Sequence, residues 1–531
     1  MLTRILSRLR GTRVDSSVLL QQADAAHLRG DLEQSRGLCE TVLRDAPDSF
    51  QAHRLMAAIA ADDGKTADCL RWAESASRLD PSAPAPHYLS GRVLQDAGRL
   101  PQAEASYRRV LQLQPGHARA HNNLGAVLHM QGNLDAALAQ YRKALDLDPG
   151  QPQANQNYAT IVRDGDALER AAMGFLRHTQ ANPRDAVAYT DLGNTWRELG
   201  KHKEALDAYD QALRIAPELA EAHFSRSFVR LLLGDYAAGW SDYEWRWRIP
   251  TFNAPARRFA QPIWDGRDVP SGVILLHAEQ GLGDTLQFAR YAPLVAGRCA
   301  KVVLECQMEL LDLMRVVPGV GEVVAQGAAL PAFAAHAPLM SLPHIFGTTL
   351  QTIPWSGPYV HADSRAVAQW RVATGADKGL KVGLVWAGRP QQWDDRKRSI
   401  ALAMLAPLAS EGVVFYSLQI GAAAAQAASP PPGMRLIDLT ARIRDFGDTA
   451  ALVSLLDLVI TIDTSVAHLA GAMGIPTWIL TAHSPDWRYH LQRSDHPWYP
   501  SVRLFRQERD GDWSGAIAAA ATELSRLVAR G

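Results

Sequence analysis

The sequence predicts a helical solenoid followed by an α/β half built as two doubly wound lobes. Three observations carry that expectation. Pro47, Pro81, Pro115, Pro149, Pro183 and Pro217 stand 34 residues apart without a slip. Gly30, Gly64, Gly98, Gly132, Gly200 and Gly234 hold a second register, broken only at Asp166. From about residue 272, short apolar runs alternate with helical stretches, the pattern of parallel β-α units.

Each 34-residue unit reads as two helices. In 118–149, Leu124, Gly125 and Leu128 share a helical face and Gly132 closes the turn. Ala137, Tyr141 and Ala144 face inward from the second helix, which Pro149 stops. Small residues at Gly125 and Ala137 let the helices approach closely. The unit at 186–217 repeats the pattern with Leu192, Gly193, Trp196, Ala205, Tyr209 and Ala212. The units at about 16–49 and 152–183 are degenerate but keep the period. This spacing resembles the tetratricopeptide repeat, which implies a concave surface for a protein or extended peptide. Gly64-Lys65-Thr66 imitates the end of a phosphate loop, but the upstream glycine would fall at Ile59, so it is a repeat turn.

The period fades after Gly234. Trp240, Tyr243, Trp245 and Trp247 are expected to form a capping helix that packs the repeats against the next domain, with a base- or sugar-stacking platform as the rival. The expected division is a leader at 1–15, a solenoid with its cap at 16–248, a linker at 249–271, and lobes at 272–365 and 366–531. Strands are expected at Val273–Leu276, Val302–Glu305, Glu322–Ala325, Lys381–Trp386, Val413–Leu418, Leu436–Leu439, Leu458–Ile462 and Thr477–Leu480. Helices are expected at Thr285–Val295, Met308–Val316, Ser399–Ser410, Asp448–Leu456 and Val466–Met473.

Composition excludes several classes. The 531 residues are 47% hydrophobic and 21% charged, ordinary for globular protein. Lys+Arg and Asp+Glu are 55 each, and 30 basic and 31 acidic residues occur through Pro250. Neither half carries the basic surplus of a general nucleic-acid binder. Cys39, Cys69, Cys299 and Cys306 form no paired motif, which suits a reducing compartment. Met1–Val14 is dotted with arginine and lacks a signal peptide's apolar core; it reads as a solvated leader or a membrane-surface helix. No apolar run reaches about 18 residues, so no transmembrane segment is expected. The default location is cytoplasmic, with a membrane-peripheral position left open.

Three segments carry candidate chemistry, each at a strand end, where such sheets bind ligands. In Glu279-Gln280-Gly281-Leu282-Gly283-Asp284-Thr285, the glycines allow close backbone approach. A dinucleotide fingerprint would need glycine at Leu286. Asp284 either caps the helix or accepts a proton. Asp463-Thr464-Ser465-Val466-Ala467-His468 opens a helix whose hydroxyls and N–H groups either hold a diphosphate or serve as cap and core. Asp394-Asp395-Arg396-Lys397-Arg398-Ser399 is either a solvated loop or a phosphate-facing cation cluster. The Asp-x-Asp triplets lie in repeats or tail, no His-rich cluster is present, and no metal is expected.

Residues 272–505 resemble the bacterial glycosyltransferases related to ADP-heptose:lipopolysaccharide heptosyltransferases, family nine of that classification. The carrying segments are Glu279–Thr285, Arg398-Ser399, Asp463–Leu469 and Gly474-Ile475-Pro476. Gly239–Trp247 and Pro262–Gly266 look typical of bacterial proteins that fuse tetratricopeptide repeats to such a transferase. The layout is similar in plan to O-linked N-acetylglucosamine transferases and flagellin glycosyltransferases. The resemblance implies a GT-B fold of two Rossmann-like lobes and an inverting, metal-independent transfer from a nucleotide sugar, with no other cofactor. It makes Asp284 the general base. It places Gln280, Gly281, Gly283, Thr285, Arg398, Ser399, Asp463, Thr464, Ser465 and His468 at the donor. Arg398 stands where heptosyltransferases have lysine, and the repeats are absent from those enzymes, so donor identity does not carry over. The leading expectation is transfer to a protein recruited by the repeats. The rivals are a glycan- or lipopolysaccharide-directed transferase and a non-catalytic adaptor.

Overall fold

The computed structural model describes residues 16–148, 151–163, 165–249, 252, 259–375, 378–389 and 395–530. The expected leader at 1–15, Pro149, Asp394 and most of 250–258 lie outside the described residues. The chain divides into two compact units, Met1–Gly174 and Phe175–Gly531.

The first unit is built of helix pairs. They run Ser16–Leu28 with Leu32–Asp45, Phe50–Asp62 with Thr66–Leu79, Pro84–Asp96 with Leu100–Leu113, and Ala118–Met130 with Leu134–Leu147. The helix Pro152–Arg163 follows. Gly30, Gly64, Gly98 and Gly132 all have φ between 70° and 80°, a left-handed turn that glycine adopts without strain. Pro47, Pro81 and Pro115 each stand two residues beyond a helix end. A Cβ on Gly125 would lie 2.7 Å from the Tyr141 ring, and one on Gly91 2.7 Å from Tyr107, so the small residues do set the helix approach.

The helix Gly165–Ala181 leads into the second unit, which continues with helices Ala186–Glu198, His202–Ile215, Ala220–Leu233 and Tyr236–Tyr243, then a 3-10 turn at Glu244–Arg248. Two parallel sheets follow. The first holds β1 (Val269–His277), β2 (Cys299–Cys306), β3 (Glu322–Ala325) and β4 (Ala335–Pro338), in the order β3-β2-β1-β4. The second holds β5 (Leu380–Leu384), β6 (Val413–Ser417), β7 (Leu436–Asp438), β8 (Leu458–Ile462), β9 (Thr477–Thr481) and β10 (Val502–Arg506). Its order is β10-β9-β8-β5-β6-β7. Strand order reverses between β1 and β4 and between β5 and β8; such switch points open crevices at the carboxyl ends of strands.

Strand alternation divides the core. Val414, Tyr416, Val459 and Ile479 on one face of the second sheet join a core that includes Trp240, Phe288 and Ile274. Val382, Leu384, Leu458, Ile460 and Ile462 on the other face pack with Leu405, Ile517 and Leu524. β4, β10 and the helix Ser514–Val528 were not foreseen: β4 reads Ala-His-Ala-Pro, and β10 interleaves two arginines. The expected helix at Thr285–Val295 begins earlier and breaks into Leu282–Phe288, a 3-10 turn at Ala289–Tyr291 and Ala292–Ala296, where Pro293 cannot donate to the preceding turn. The expected helix at Ser399–Ser410 is only a 3-10 stretch, Leu402–Leu408, with Pro407 inside it.

The cap packs as expected at one tryptophan and differs at the others. Trp240 is 1% exposed, within ring contact of Tyr236, Tyr243, Phe288, Trp487 and Trp498. Trp245 stacks on His223 at 3.9 Å between ring centroids, with Arg248 over its ring. Trp247 remains 36% exposed beside the buried Arg246 guanidinium, which explains why it needs no core position.

Candidate active site

The loop leaving β1 is held from three sides. Gln280 donates its amide to the Tyr243 hydroxyl at 2.7 Å, which ties the loop to the cap. Gln307, after β2, donates to the Gln280 carbonyl at 2.8 Å and accepts from the Thr285 hydroxyl at 2.9 Å. Thr285 is buried, so its hydroxyl braces this loop. Glu279 accepts from Arg246 at 3.0 Å and from the Met340 N–H at 3.2 Å through one oxygen, while the other is buried without a partner. Burial pushes its carboxyl up to about 7 against the opposing pull of Arg246.

That shift has a measurable sign. The proton is held more tightly in the folded state, so Glu279's contribution to stability is complete below pH 4.5 and is lost as pH rises through about 7. Glu279→Gln is therefore expected to flatten the fall in melting temperature between pH 4.5 and 7. Equal slopes in both proteins would rule this out.

Asp284 sits in the first turn of the helix Leu282–Phe288 and does two things at once. One carboxylate oxygen accepts from the Gly281 N–H at 2.9 Å, the capping role expected from spacing. The other is paired with Arg488, from the loop after β9. Burial raises its pKa most, Arg488 lowers it, and Asp486 and Asp463 raise it again.

The loop leaving β8 meets this helix. A Cβ on Gly283 would lie 2.6 Å from the His468 ring, so only glycine permits the approach of Leu282–Phe288 to Ser465–Ala472. His468 is 6% exposed and bonds Tyr499 through Nδ1 at 3.2 Å. Burial first, then Arg488 and Arg290, drive its pKa well below the usual value, which makes it a neutral ring near pH 7. Thr464 stands at the N-cap position with its hydroxyl 3.1 Å from that of Thr461, and Ser465 begins the helix. Asp463 accepts from the Tyr489 hydroxyl at 2.6 Å.

The loop after β5 lies across the switch point from Asp463. Arg398 Nη1 is 3.8 Å from the Asp463 carboxylate, and its Nε is 3.5 Å from Asp395. Ser399 accepts from the Gly388 N–H at 2.9 Å and so braces this loop. Lys397 pairs with Glu198 of the last full repeat. The cation cluster is thus tied into the fold at both Lys397 and Arg398.

The structure brings Gly281, Gly283 and Asp284 of one sheet together with Asp463, Thr464, Ser465, His468 and Arg398 of the other. Sequence reasoning missed a fourth loop, Pro485–His490. There Arg488 donates to Asp284, to Gln287 at 2.7 Å and to Asp486 at 2.8 Å. Its position after β9 was the available signal, since the other three loops also follow strand ends. His490 has φ 52°, held by bonds to the Leu232 carbonyl at 2.9 Å and the Tyr236 hydroxyl at 3.2 Å. Among the described residues, no three His, Cys, Asp or Glu side chains are grouped to hold a metal ion, and no helix is long and apolar enough to cross a membrane.

Residues 88–152 and 186–219 match tetratricopeptide-repeat families, and two parallel sheets follow them in the chain. The chain is 28% identical over 434 residues to Protein FlbA of Caulobacter vibrioides, an alignment covering 69% of this chain and 71% of that protein. Similar solved structures include MamA, 18% identical, covering 38% of this chain and 96% of that one with a TM-score of 0.23. They also include pilF of Pseudomonas aeruginosa, 19% identical, covering 39% and 94% with a TM-score of 0.28.

Proposed function

We propose that the chain is an inverting glycosyltransferase of GT-B type that takes a nucleotide sugar and modifies a protein recruited by its repeats. The observation that carries this reading is the meeting of two strand-end loops from different sheets, with Gly283 against His468 and a carboxylate, Asp284, beside them. In this reading 16–248 recruits, 249–271 links, and 272–365 and 366–531 are the two lobes.

The acceptor hydroxyl attacks the anomeric carbon, Asp284 takes its proton, and the bond to the nucleotide diphosphate breaks. Arg398 and the N-terminus of Ser465–Ala472 offset the charge that develops on the leaving phosphate, without a metal. Gly281, Gly283, Asp463, Thr464 and His468 line the donor, while Gln280, Thr285 and Ser399 hold the loops in place. Acceptor recruitment is supported by a cavity of about 310 Å³ in the first unit, lined by Tyr88, Arg119, Asn122, Asn123, Asp148 and Gln151.

The test is a binding screen of UDP, ADP, GDP and CMP on purified protein, followed by hydrolysis of the matching sugar nucleotide. One nucleotide is expected to bind and its sugar to be released slowly. Binding of none, with no turnover, would leave the adaptor reading instead. Intact-mass measurement of candidate proteins, flagellin among them, in a deletion strain separates protein from glycan acceptors.

A further inference from the structure

We infer that Arg488 is a positioning residue for Asp284, delivered to the first sheet's helix from the second sheet's loop. This rests on the transferase reading for its catalytic meaning, but its physical core does not. Arg488 is buried, and its guanidinium donates to two side chains of one helix, Asp284 and Gln287, while Asp486 holds it from its own loop. Trp487 lies under it, with the guanidinium carbon 4.4 Å from the ring centre. A guanidinium offers several donors in one rigid plane, so it can fix the carboxylate's orientation and hold the two loops in register together. Asp284 keeps unfilled lone pairs after accepting from Gly281 and Arg488, so an acceptor hydroxyl can still reach it.

The charges around Asp284 come from several elements. Arg488 and Asp486 approach from the loop after β9, Asp463 from the end of β8, Glu279 from its own loop, and Tyr243 from the cap. The neutral His468 ring lies against Gly283. Arg488 is the cation bonded to Asp284, and Asp486 is a like charge that competes for it.

This arrangement makes two substitutions act in opposite directions. Arg488→Gln removes the favourable partner, so Asp284 is expected to hold its proton to higher pH by about one unit or more. Asp486→Asn removes a repelling charge and leaves Arg488 in place, so the midpoint is expected to fall. Arg488→Lys restores the charge without the planar fork and is expected to recover the pH position better than the rate.

The full chain, labelled with 13C-aspartate, reports this directly: the Asp284 carboxyl signal is assigned by its loss in Asp284→Asn and titrated in each variant. The acidic limb of kcat is expected to shift in step, with little change in KM for the donor. Unmoved titration of Asp284 in both Arg488→Gln and Asp486→Asn, or shifts of the same sign, would overturn the inference. So would a rise in donor KM with an unmoved acidic limb, which would make Arg488 a donor contact. An inactive, nucleotide-free wild-type protein whose Asp284 still titrates as described would overturn the transferase reading alone.

Discussion

Asp284→Asn is expected to lower transfer by about 10²–10⁴-fold, the usual contribution of a positioned general base, while nucleotide binding survives. The substitution isolates the proton-accepting role. An asparagine oxygen can still accept from the Gly281 N–H, so the start of the helix Leu282–Phe288 is retained. What disappears is the carboxylate's charge, and with it the ion pair to Arg488. If Asp284 only capped the helix, the variant would turn over at nearly the wild-type rate. Single-turnover kinetics with the nucleotide sugar found in the binding screen, compared at equal nucleotide occupancy, decides between them. Near-wild-type turnover would remove Asp284 from the mechanism.

Trp240→Ala is expected to give the largest loss of stability, about 3–5 kcal/mol, as for other buried aromatic truncations. The ring is 1% exposed, and five aromatic neighbours surround it, with Trp487 at 5.2 Å and 86° and Phe288 at 6.2 Å and 88°. Such edge-to-face pairs add to the burial term. The indole N–H is buried without a partner, so it contributes nothing favourable. Trp240→Phe should therefore cost much less than Trp240→Ala. Urea denaturation followed by near-ultraviolet circular dichroism reads both. Turnover should fall in the alanine variant as well, because Trp487, which packs against the Trp240 ring, directly precedes Arg488, the partner of Asp284. Equal losses for Phe and Ala would show that the ring packing is not what stabilises this region.

The legible parts of this chain were those set by local chemistry. The turn glycines and helix-ending prolines answer to backbone geometry within a few residues, so their spacing exposed the repeats. β8 and β3 were found with their observed bounds because an unbroken apolar or β-branched run is itself the strand signal. Gly281–Asp284 and Asp463–His468 stood out as glycine- and hydroxyl-rich helix starts. What sequence could not show was partnership at a distance. Arg488 meets Asp284 across 204 residues, and Arg246 meets Glu279 across 33. No periodicity encodes either pair. Gln280, Thr285 and Ser399 read as equal to their neighbours in sequence, yet their partners, Tyr243, Gln307 and Gly388, occupy their side chains.

The uniform phase of the early repeats has an evolutionary consequence. Unequal recombination that adds or deletes one 34-residue unit between Ser16 and Leu147 returns each remaining turn to the same place in the cycle. The helices Ala220–Leu233 and Tyr236–Tyr243 lack that freedom, because Leu231, Tyr236 and Trp240 belong to the core that reaches both sheets. A whole-unit duplication would therefore lengthen the early array in steps of 34 residues, while Leu231, Tyr236 and Trp240 tie the later helices to one fixed set of packing partners.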